Sequence, residues 1–212
     1  MIILAIETST PHASLCLAED GAILYSADWV AERNHDAYLF PALQQAMDVP
    51  GNNRKPDRIL VGSGPGSYGG VRVALAAAVG ISAVTGARTV AICSWEAPAH
   101  GEACIVSDAR RGGWTLRRPD GTISVISPEE LIQLAADTST LLYTTESAEK
   151  MRQLGVSVSQ CGIIPTAEGL VQVWNSLTAD EQEARASQPA EPIYVRPPHI
   201  TEAKRKPWEV RS

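Results

Sequence analysis

The sequence predicts a layered α/β fold, and three observations indicate it. The chain opens with an apolar run that is followed by a hairpin pattern, helix-like and strand-like segments then alternate, and after residue 99 the order of strand and hairpin starts again. This order of segments is typical of sheets covered by helices. We therefore expect a first lobe of residues 1–100, joined by the C-terminal segment 189–212, and a smaller second lobe of residues 101–188.

Three strands are predicted at the start of the chain. Their apolar runs are typical of strands buried in a sheet. Asp20 with Gly21 favours a tight hairpin turn between the second strand and the third. We therefore expect the first sheet to open with strands at residues 2–6, 13–18 and 22–30.

Two helices and two more strands complete the predicted first lobe. Asn34 is expected to cap the first helix. Pro41 lies inside that helix, where it would kink the helix or mark its true start. The second helix is apolar on nearly every side, so it requires cover on more than one face. The predicted segments are helices at residues 34–47 and 71–85 and strands at residues 57–62 and 88–93.

The second predicted lobe repeats the pattern of strand and hairpin. Pro119 to Gly121 separates two strand-like runs, and Ser127 with Glu130 forms a capping box that starts a helix. The remaining predicted strands are residues 102–107, 114–118, 122–126, 140–145 and 157–161, and the remaining predicted helices are residues 146–154, 166–177 and 179–187.

The composition indicates a soluble globular protein. Apolar residues make up 44% and charged residues 20% of the chain, which is close to the average. The N-terminus lacks the basic region and long apolar core of a signal peptide, and the low-charge run at residues 73–87 falls short of a predicted membrane span. The cysteines at positions 16, 93, 104 and 161 are expected to be buried and reduced rather than paired in disulfides. We therefore expect a cytoplasmic protein without a membrane partner.

The charge balance bears on nucleic-acid binding. The formal net charge is -6, and the one basic cluster, residues 204–206, lies near the C-terminus. Tight phosphate binding requires several clustered Lys and Arg side chains. Independent, tight nucleic-acid binding by this chain is therefore not expected.

A glycine-rich loop follows the fourth predicted strand. Residues 64–69 match the pattern G-x-G-x-x-G, which in dinucleotide-binding proteins brings backbone N–H groups against a pyrophosphate. Here the loop does not follow the first strand, and no acidic residue ends the next strand, where the ribose would bind. The alternative is a tight turn whose glycines allow positive φ and close helix–strand packing. The candidate cofactor residues of the loop are Gly64, Gly66 and Gly69.

Other polar residues are candidates for catalytic or metal-binding groups. Glu7, Thr8 and Ser9 follow the first strand, where a carboxylate beside hydroxyls would hold Mg²⁺ through waters or simply close a turn. Histidines occur at positions 12, 35, 100 and 199, and none has a partner at the spacing that metal ligands on one helix need. No G-x-S-x-G motif occurs. The sequence therefore predicts no catalytic residue and no metal site.

Five blocks of the sequence resemble one known family, TsaB (also called YeaZ), and they occur in the family's order. The departures are Glu7 where the family usually has Asp, Tyr68-Gly69 for Phe-Thr, and Gly113-Trp114 for an acidic residue and Val-Tyr. Residues 112–188 resemble little. The matching blocks are AIETSTPHASLCLAEDG, the helix from Asn34-His35 to Leu43, GPGSYGGVRVALAAAVGIS, SDARR and PIYVR.

The resemblance implies a fold, a pathway and partners. The implied fold is the two-lobed α/β fold of the actin/Hsp70/sugar-kinase-like (ASKHA) class. The implied role is that of a non-catalytic scaffold and dimerisation subunit in the formation of threonylcarbamoyl-adenosine (t6A) in tRNA. The implied partners are a TsaD-like transferase, a TsaE-like ATPase and, when the chain is alone, a second copy, with tRNA contacted only indirectly. No cofactor is expected, except for ADP or ATP within the complex.

The two helices of the first lobe are the predicted partner interface. The second helix carries small residues that let another helix approach closely, and TsaB-like proteins are expected to pair these helices with TsaD or with a second copy. A helix buried in the core of the lobe is the alternative. The predicted interface residues are Leu39, Leu43, Met47, Val73, Ala76, Ala77, Gly80 and Ala83.

Two other functions remain open from the sequence. The first is a nucleotide-binding enzyme that uses the loop from Gly64 to Gly70, and micromolar affinity of the isolated chain for a nucleotide would favour it. The second is a self-contained homodimer with an unrelated binding role. Co-purification with a TsaD-like protein would favour the scaffold.

Overall fold

The first lobe is built on a five-stranded mixed sheet. The structure is a computed structural model that describes residues 1–31, 34–49, 55–99 and 102–196. The strand order is β3-β2-β1-β4-β5; the first three strands are antiparallel, and β4 and β5 run parallel to β1. The strands are β1 (Ile2–Glu7), β2 (His12–Glu19), β3 (Ala22–Val30), β4 (Arg58–Gly62) and β5 (Arg88–Ile92).

Two helices cover one face of this sheet. Helix α1 (Asp36–Met47) and helix α2 (Tyr68–Thr85) pack on β1, β2 and β4 through one apolar cluster. Ser67 caps α2 with its side chain, and Gly86 ends the helix in the left-handed conformation, which glycine adopts without a steric penalty. Because both helices lie on the same side of the sheet, their outward faces form one surface of the lobe.

The second lobe is a smaller sheet with its own core. Its strand order is β8-β7-β6-β9. Trp114, Leu116 and Leu131 belong to the cluster that fills the space between this sheet and its helices. The elements are α3 (Glu96–Ala99), β6 (Cys104–Asp108), β7 (Trp114–Arg117), β8 (Ile123–Ile126), α4 (Pro128–Ala136), β9 (Leu142–Thr144) and α5 (Ala148–Gln153).

The last two helices return to the first lobe. Helices α6 (Ala167–Ser176) and α7 (Ala179–Ala186) lie against the first sheet, and Leu170 and Trp174 fill the apolar cluster on the face opposite α1 and α2. The sequence placed these helices in the second lobe, at residues 101–188. Their apolar faces specify that they are buried, but not which sheet they cover.

Three local expectations are corrected by the structure. Asn34 does not cap α1, because it lies in the left-handed region at φ 62° and His35 occupies the cap position without a side-chain hydrogen bond. Residues 157–161 contribute a single bridge from Gln160 to Tyr143 rather than a strand. Helix α2 begins at Tyr68, not at residue 71, because Ser67 accepts a hydrogen bond from the Gly70 N–H.

Candidate functional site

The turn after β1 is sealed inside the first lobe. Glu7, Thr8 and Ser9 are at most 1% exposed. The Glu7 carboxyl group lies directly over Gly62, the last residue of β4, where any Cβ would overlap it. Glutamate at position 7, which is one methylene longer than aspartate, therefore fits because β4 ends in glycine.

The Glu7 carboxyl group is poorly placed to bind a cation. Its Oε1 accepts a 2.7 Å hydrogen bond from the Ser9 N–H, while its Oε2 has no partner among the described residues. Burial raises the pKa of Glu7, although the hydrogen bond from the Ser9 N–H acts in the opposite direction. Because burial penalises the charged form and Oε1 is already engaged by the Ser9 N–H, the turn leaves only the buried Oε2 as a possible ligand for a cation.

The glycine-rich loop packs tightly against this turn. A Cβ at Gly70 would overlap the Thr8 carbonyl oxygen, and a Cβ at Gly66 would lie 2.9 Å from the Ser9 carbonyl carbon. Among the described glycines of residues 62–70, only Gly64 has positive φ, at 89°. Close approach, rather than left-handed backbone, is therefore what requires glycine at positions 66 and 70, whereas Gly69 faces open space.

Backbone donors of the loop are already used by the protein. The Ser67 N–H donates to the Ser9 carbonyl oxygen at 2.6 Å, and the Gly64 N–H donates to Ser94 Oγ at 3.0 Å. The Gly70 N–H donates to Ser67 Oγ. Glycine loops bind phosphate through free N–H groups of this kind. The first two groups instead join the loop to the turn after β1 and to the residues after β5, and the third caps α2, as a structural turn requires.

The outward faces of α1 and α2 expose large apolar side chains. On α1, Tyr38 is 50% and Phe40 is 60% exposed; on α2, Val79 is 62% and Val84 is 77% exposed. Large side chains of this type favour burial by roughly 1.5–3 kcal/mol each when they are fully covered. Their concentration on two neighbouring helices marks a surface suited to a partner.

The eight predicted interface residues divide between the core and this surface. Leu39 is buried in the core of the first lobe, and four others are half-buried against it. Periodicity failed to separate the two faces of α2 because both are apolar, so Val79 and Val84 were missed, as was Phe40. The half-buried residues are Leu43, Met47, Val73 and Ala77, and the exposed ones are Ala76, Gly80 and Ala83.

Helix α2 is long and apolar enough to cross a membrane by length and composition alone. It has 18 residues with a mean hydropathy of 1.4, and only 28% of it is buried. Val71, Ala74 and Ala78 are buried, and the latter two lie in the cluster over β1 and β4. Withdrawing the helix would open that core. The low burial of such an apolar helix leaves an exposed apolar face on the lobe.

Metal-binding and thiol chemistry has little support in the part of the chain that the structure describes. No group of three or more His, Cys, Asp or Glu side chains in that part is arranged to hold a metal ion. His12 is exposed, and burial lowers the pKa of His35; His100 and His199 lie outside the described residues. The four cysteines are free, and Cys16 and Cys104 are buried.

Comparisons with known proteins agree with this architecture. The family described as TsaD, tRNA N6-adenosine threonylcarbamoyltransferase, matches residues 29–133. The tRNA threonylcarbamoyladenosine biosynthesis protein TsaB of Escherichia coli is 26% identical over 92% of this chain and 95% of its own length. The Bacillus subtilis protein of the same name is 28% identical over 64% of this chain and 63% of its own length. A Pseudomonas aeruginosa crystal structure, described as an uncharacterized protein with similarity to peptidase YeaZ, covers 92% of this chain and 99% of its own at a TM-score of 0.71 and 23% identity.

Two sheets in two lobes, with helices on both faces of the larger sheet, define an α/β protein of the ASKHA class. Within that class the chain is similar to the TsaB (YeaZ) proteins, because the Escherichia coli TsaB protein aligns along nearly its whole length and a TsaD family match covers residues 29–133. The resemblance predicted from the sequence motifs is thereby confirmed.

Proposed function

We propose that this chain is a non-catalytic scaffold and dimerisation subunit of the assembly that forms t6A in tRNA, and that it binds a TsaD-like transferase. Its relatives in Escherichia coli and Bacillus subtilis are named for t6A biosynthesis. The further components we expect are a TsaE-like ATPase and, when the chain is alone, a second copy of it. ADP or ATP is expected only within the complex.

The exposed apolar face of α1 and α2 is the observation that carries this proposal. Phe40, Val79 and Val84 are more than half exposed, while Ala76, Gly80 and Ala83 leave α2 smooth enough for a partner helix to approach. Exposed apolar area of this kind costs solubility in a lone subunit and is typical of interface cores. We therefore place the partner on this surface.

The sealed turn supports the absence of catalysis. Glu7 is fully buried, and the loop donors that a phosphate would need at Gly64, Ser67 and Gly70 are engaged by the protein. The residues that ASKHA kinases use for nucleotide chemistry would lie at this turn. In this chain the turn serves packing, and catalysis is assigned to the partner.

A charge scan of α2 tests the proposal. Glu is placed at Ala76 or Ala83, which are exposed, and at Ala136 of α4, which is exposed on the second lobe. An unpaired charge in an interface costs roughly 3–5 kcal/mol, and every 1.4 kcal/mol weakens binding about tenfold. Ala76→Glu and Ala83→Glu should therefore lose co-purification with the TsaD-like protein and lose tRNA modification, while Ala136→Glu retains both.

A thermal melt completes the scan. Ala78→Glu, at a buried position of the same helix, should unfold the chain, whereas Ala76→Glu should keep a cooperative transition near that of the wild type. Wild-type affinity of both folded α2 variants for the TsaD-like protein would show that this face is not the partner surface.

A further inference from the structure

A stack of aromatic and guanidinium groups lies at the start of α2. The rings of Tyr68 and Tyr194 are stacked, with centroids 4.9 Å apart and an interplanar angle of 30°. Arg72 lies with its Cζ 5.2 Å from the Tyr68 centroid and donates a 2.8 Å hydrogen bond to the Tyr68 hydroxyl. Both rings are 45% exposed, and among the described residues no further ring stacks on Tyr194. The stack therefore ends in an exposed aromatic ring.

Two arginines are presented by a strained hairpin loop between β6 and β7. Arg110 and Arg111 are exposed, and both lie in the left-handed region, at φ 60° and 51°. This conformation costs non-glycine residues roughly 1–2 kcal/mol each. The loop is held by Asp108 Oδ1, which accepts a 2.6 Å hydrogen bond from the Arg110 N–H, and by Arg196 Nη1, which donates to the Arg110 carbonyl oxygen at 3.1 Å. The strain thus has structural support, and the direction of the loop is fixed.

The C-terminal segment brings the stack and the loop together. The Ile193 N–H donates to the Ser63 carbonyl oxygen at 2.8 Å, the next residue is Tyr194, and the guanidinium group of Arg196 lies over Gly113. Segment 193–196 therefore crosses from the first lobe to the hairpin of the second. The aromatic stack and the arginine loop form one continuous surface as a result.

The charge of this surface is unlike that of the chain as a whole. The chain carries a formal net charge of -6, yet the arginines of the surface form no ion pair with any other described residue. Asp108, at the end of β6, is paired with Lys150 at 2.7 Å and also attracts the charge of Arg110. The surface therefore combines unpaired cations with an exposed aromatic ring, and we call it the tyrosine–arginine patch: Tyr68, Arg72, Arg110, Arg111, Tyr194 and Arg196.

We propose that the tyrosine–arginine patch binds single-stranded RNA, with a base stacked on Tyr194 and neighbouring phosphates on the arginines. Base–aromatic stacking tolerates any sequence, and guanidinium groups contact both bases and phosphates. A protein partner would be expected to meet unpaired arginines with carboxylates, and nothing in the patch selects for carboxylates over the repeating phosphates of RNA. The identity of the RNA rests on the scaffold function proposed above: it would be a loop of the tRNA that is modified.

The proposal revises the expectation that tRNA is contacted only indirectly, and it keeps the expectation of weak binding. Few phosphates can be reached by so few cations, so the isolated chain should bind RNA weakly and with a shallow salt dependence. Within an assembly, a second RNA-binding surface on the transferase would raise the overall affinity through effective concentration. The patch would then orient the RNA, while the transferase would supply most of the affinity.

The test measures binding of a fluorescently labelled single strand of about ten nucleotides by anisotropy at low salt. Tyr194→Ala removes the ring, and Tyr194→Phe keeps it. Arg111→Gln removes an exposed cation of the patch, and Arg152→Gln removes an exposed cation of α5 as its matched control. We expect Tyr194→Ala to weaken binding by about 5- to 150-fold and Arg111→Gln to lower the salt slope by about 0.7. Tyr194→Phe and Arg152→Gln should behave as the wild type.

Two further outcomes separate RNA from other partners. An RNA duplex of the same length should bind more weakly than the single strand, because its bases are not available for stacking. Unchanged RNA binding by Tyr194→Ala and Arg111→Gln would overturn the proposal. The proposal would also be overturned if Tyr194→Ala or Arg111→Gln lost binding to the TsaD-like protein while retaining RNA binding, since the patch would then be a protein contact. The scaffold function fails separately, through the α2 charge scan.

Discussion

Replacing Gly70 with alanine is expected to destabilise the protein, whereas the same replacement at the adjacent Gly69 is not. Both residues lie in the first turn of α2, and neither has positive φ. They differ in what a new methyl group would meet. At Gly70 it would overlap the Thr8 carbonyl oxygen and lie 3.1 Å from the Thr8 carbonyl carbon, and at Gly69 nothing lies within 4 Å.

The expected change in the free energy of unfolding combines one stabilising and two destabilising contributions. Alanine gains up to about 1 kcal/mol of helix propensity over glycine at either position. At Gly70, overpacking costs about 1–3 kcal/mol. Separating the loop from the turn also endangers the 2.7 Å hydrogen bond from Thr8 Oγ1 to the Gly70 carbonyl oxygen, which contributes about 1 kcal/mol. We therefore expect Gly70→Ala to lose about 2 kcal/mol and Gly69→Ala to lose nothing or gain up to about 1 kcal/mol.

Urea unfolding followed by circular dichroism measures both free energies of unfolding. For a domain of this size, a loss of about 2 kcal/mol lowers Tm by roughly 4–8 °C. Equal stabilities of Gly70→Ala and the wild type would refute the close-approach argument. So would a loss at Gly69 as large as that at Gly70. A loop whose glycines serve a phosphate would instead lose ligand binding with little change in stability.

Two further predictions concern buried titratable groups. Burial raises the pKa of Glu7 above its usual value of 4.5, so the stability it contributes is fully present below that pH and is lost as pH rises through the raised pKa of the folded state. The free energy of unfolding, measured by urea titration at several pH values, should therefore decline less steeply above pH 4.5 for Glu7→Gln than for the wild type. Identical pH profiles of the two proteins would contradict the argument. Burial also raises the pKa of the Cys16 thiol to about 12, so Ellman's reagent should label Cys16 only at the rate of unfolding. Labelling of Cys16 in the native protein as fast as that of the half-buried Cys161 would show that β2 is accessible.

The sequence predicted the local elements well where one short-range cause dominates. The apolar run of β1 was predicted as a buried strand, and the turn at Asp20 and Gly21 adopts positive φ at both residues. The capping box of Ser127 and Glu130 is present with both of its hydrogen bonds. Each of these features depends on residues within a few positions of one another, so the printed sequence contains what is needed to predict it.

Features that depend on distant partners were predicted less well. The amphipathic pattern of α6 indicates a buried face, but Trp174 packs on the first sheet through contacts with strands far away in sequence. Gly66 and Gly70 require glycine because residues 8 and 9 lie against them, and no local pattern records that contact. The tyrosine–arginine patch joins three of the sequence blocks that resemble the TsaB family, but nothing in the sequence shows that these distant segments meet in space.

The crossing of segment 193–196 between the lobes has a consequence for biosynthesis. The segment follows both sheets and helices α6 and α7 in the chain, so the ribosome produces it after every element of the two cores has been synthesised. Until the Ile193 N–H reaches the Ser63 carbonyl oxygen and Arg196 reaches the Arg110 carbonyl oxygen, these contacts cannot hold the nascent lobes in register. A subunit truncated before this segment would be expected to keep two folded lobes and the buried cluster of Trp95, Ile105 and Ile163 between them, while losing the hydrogen bonds to Ser63 and Arg110.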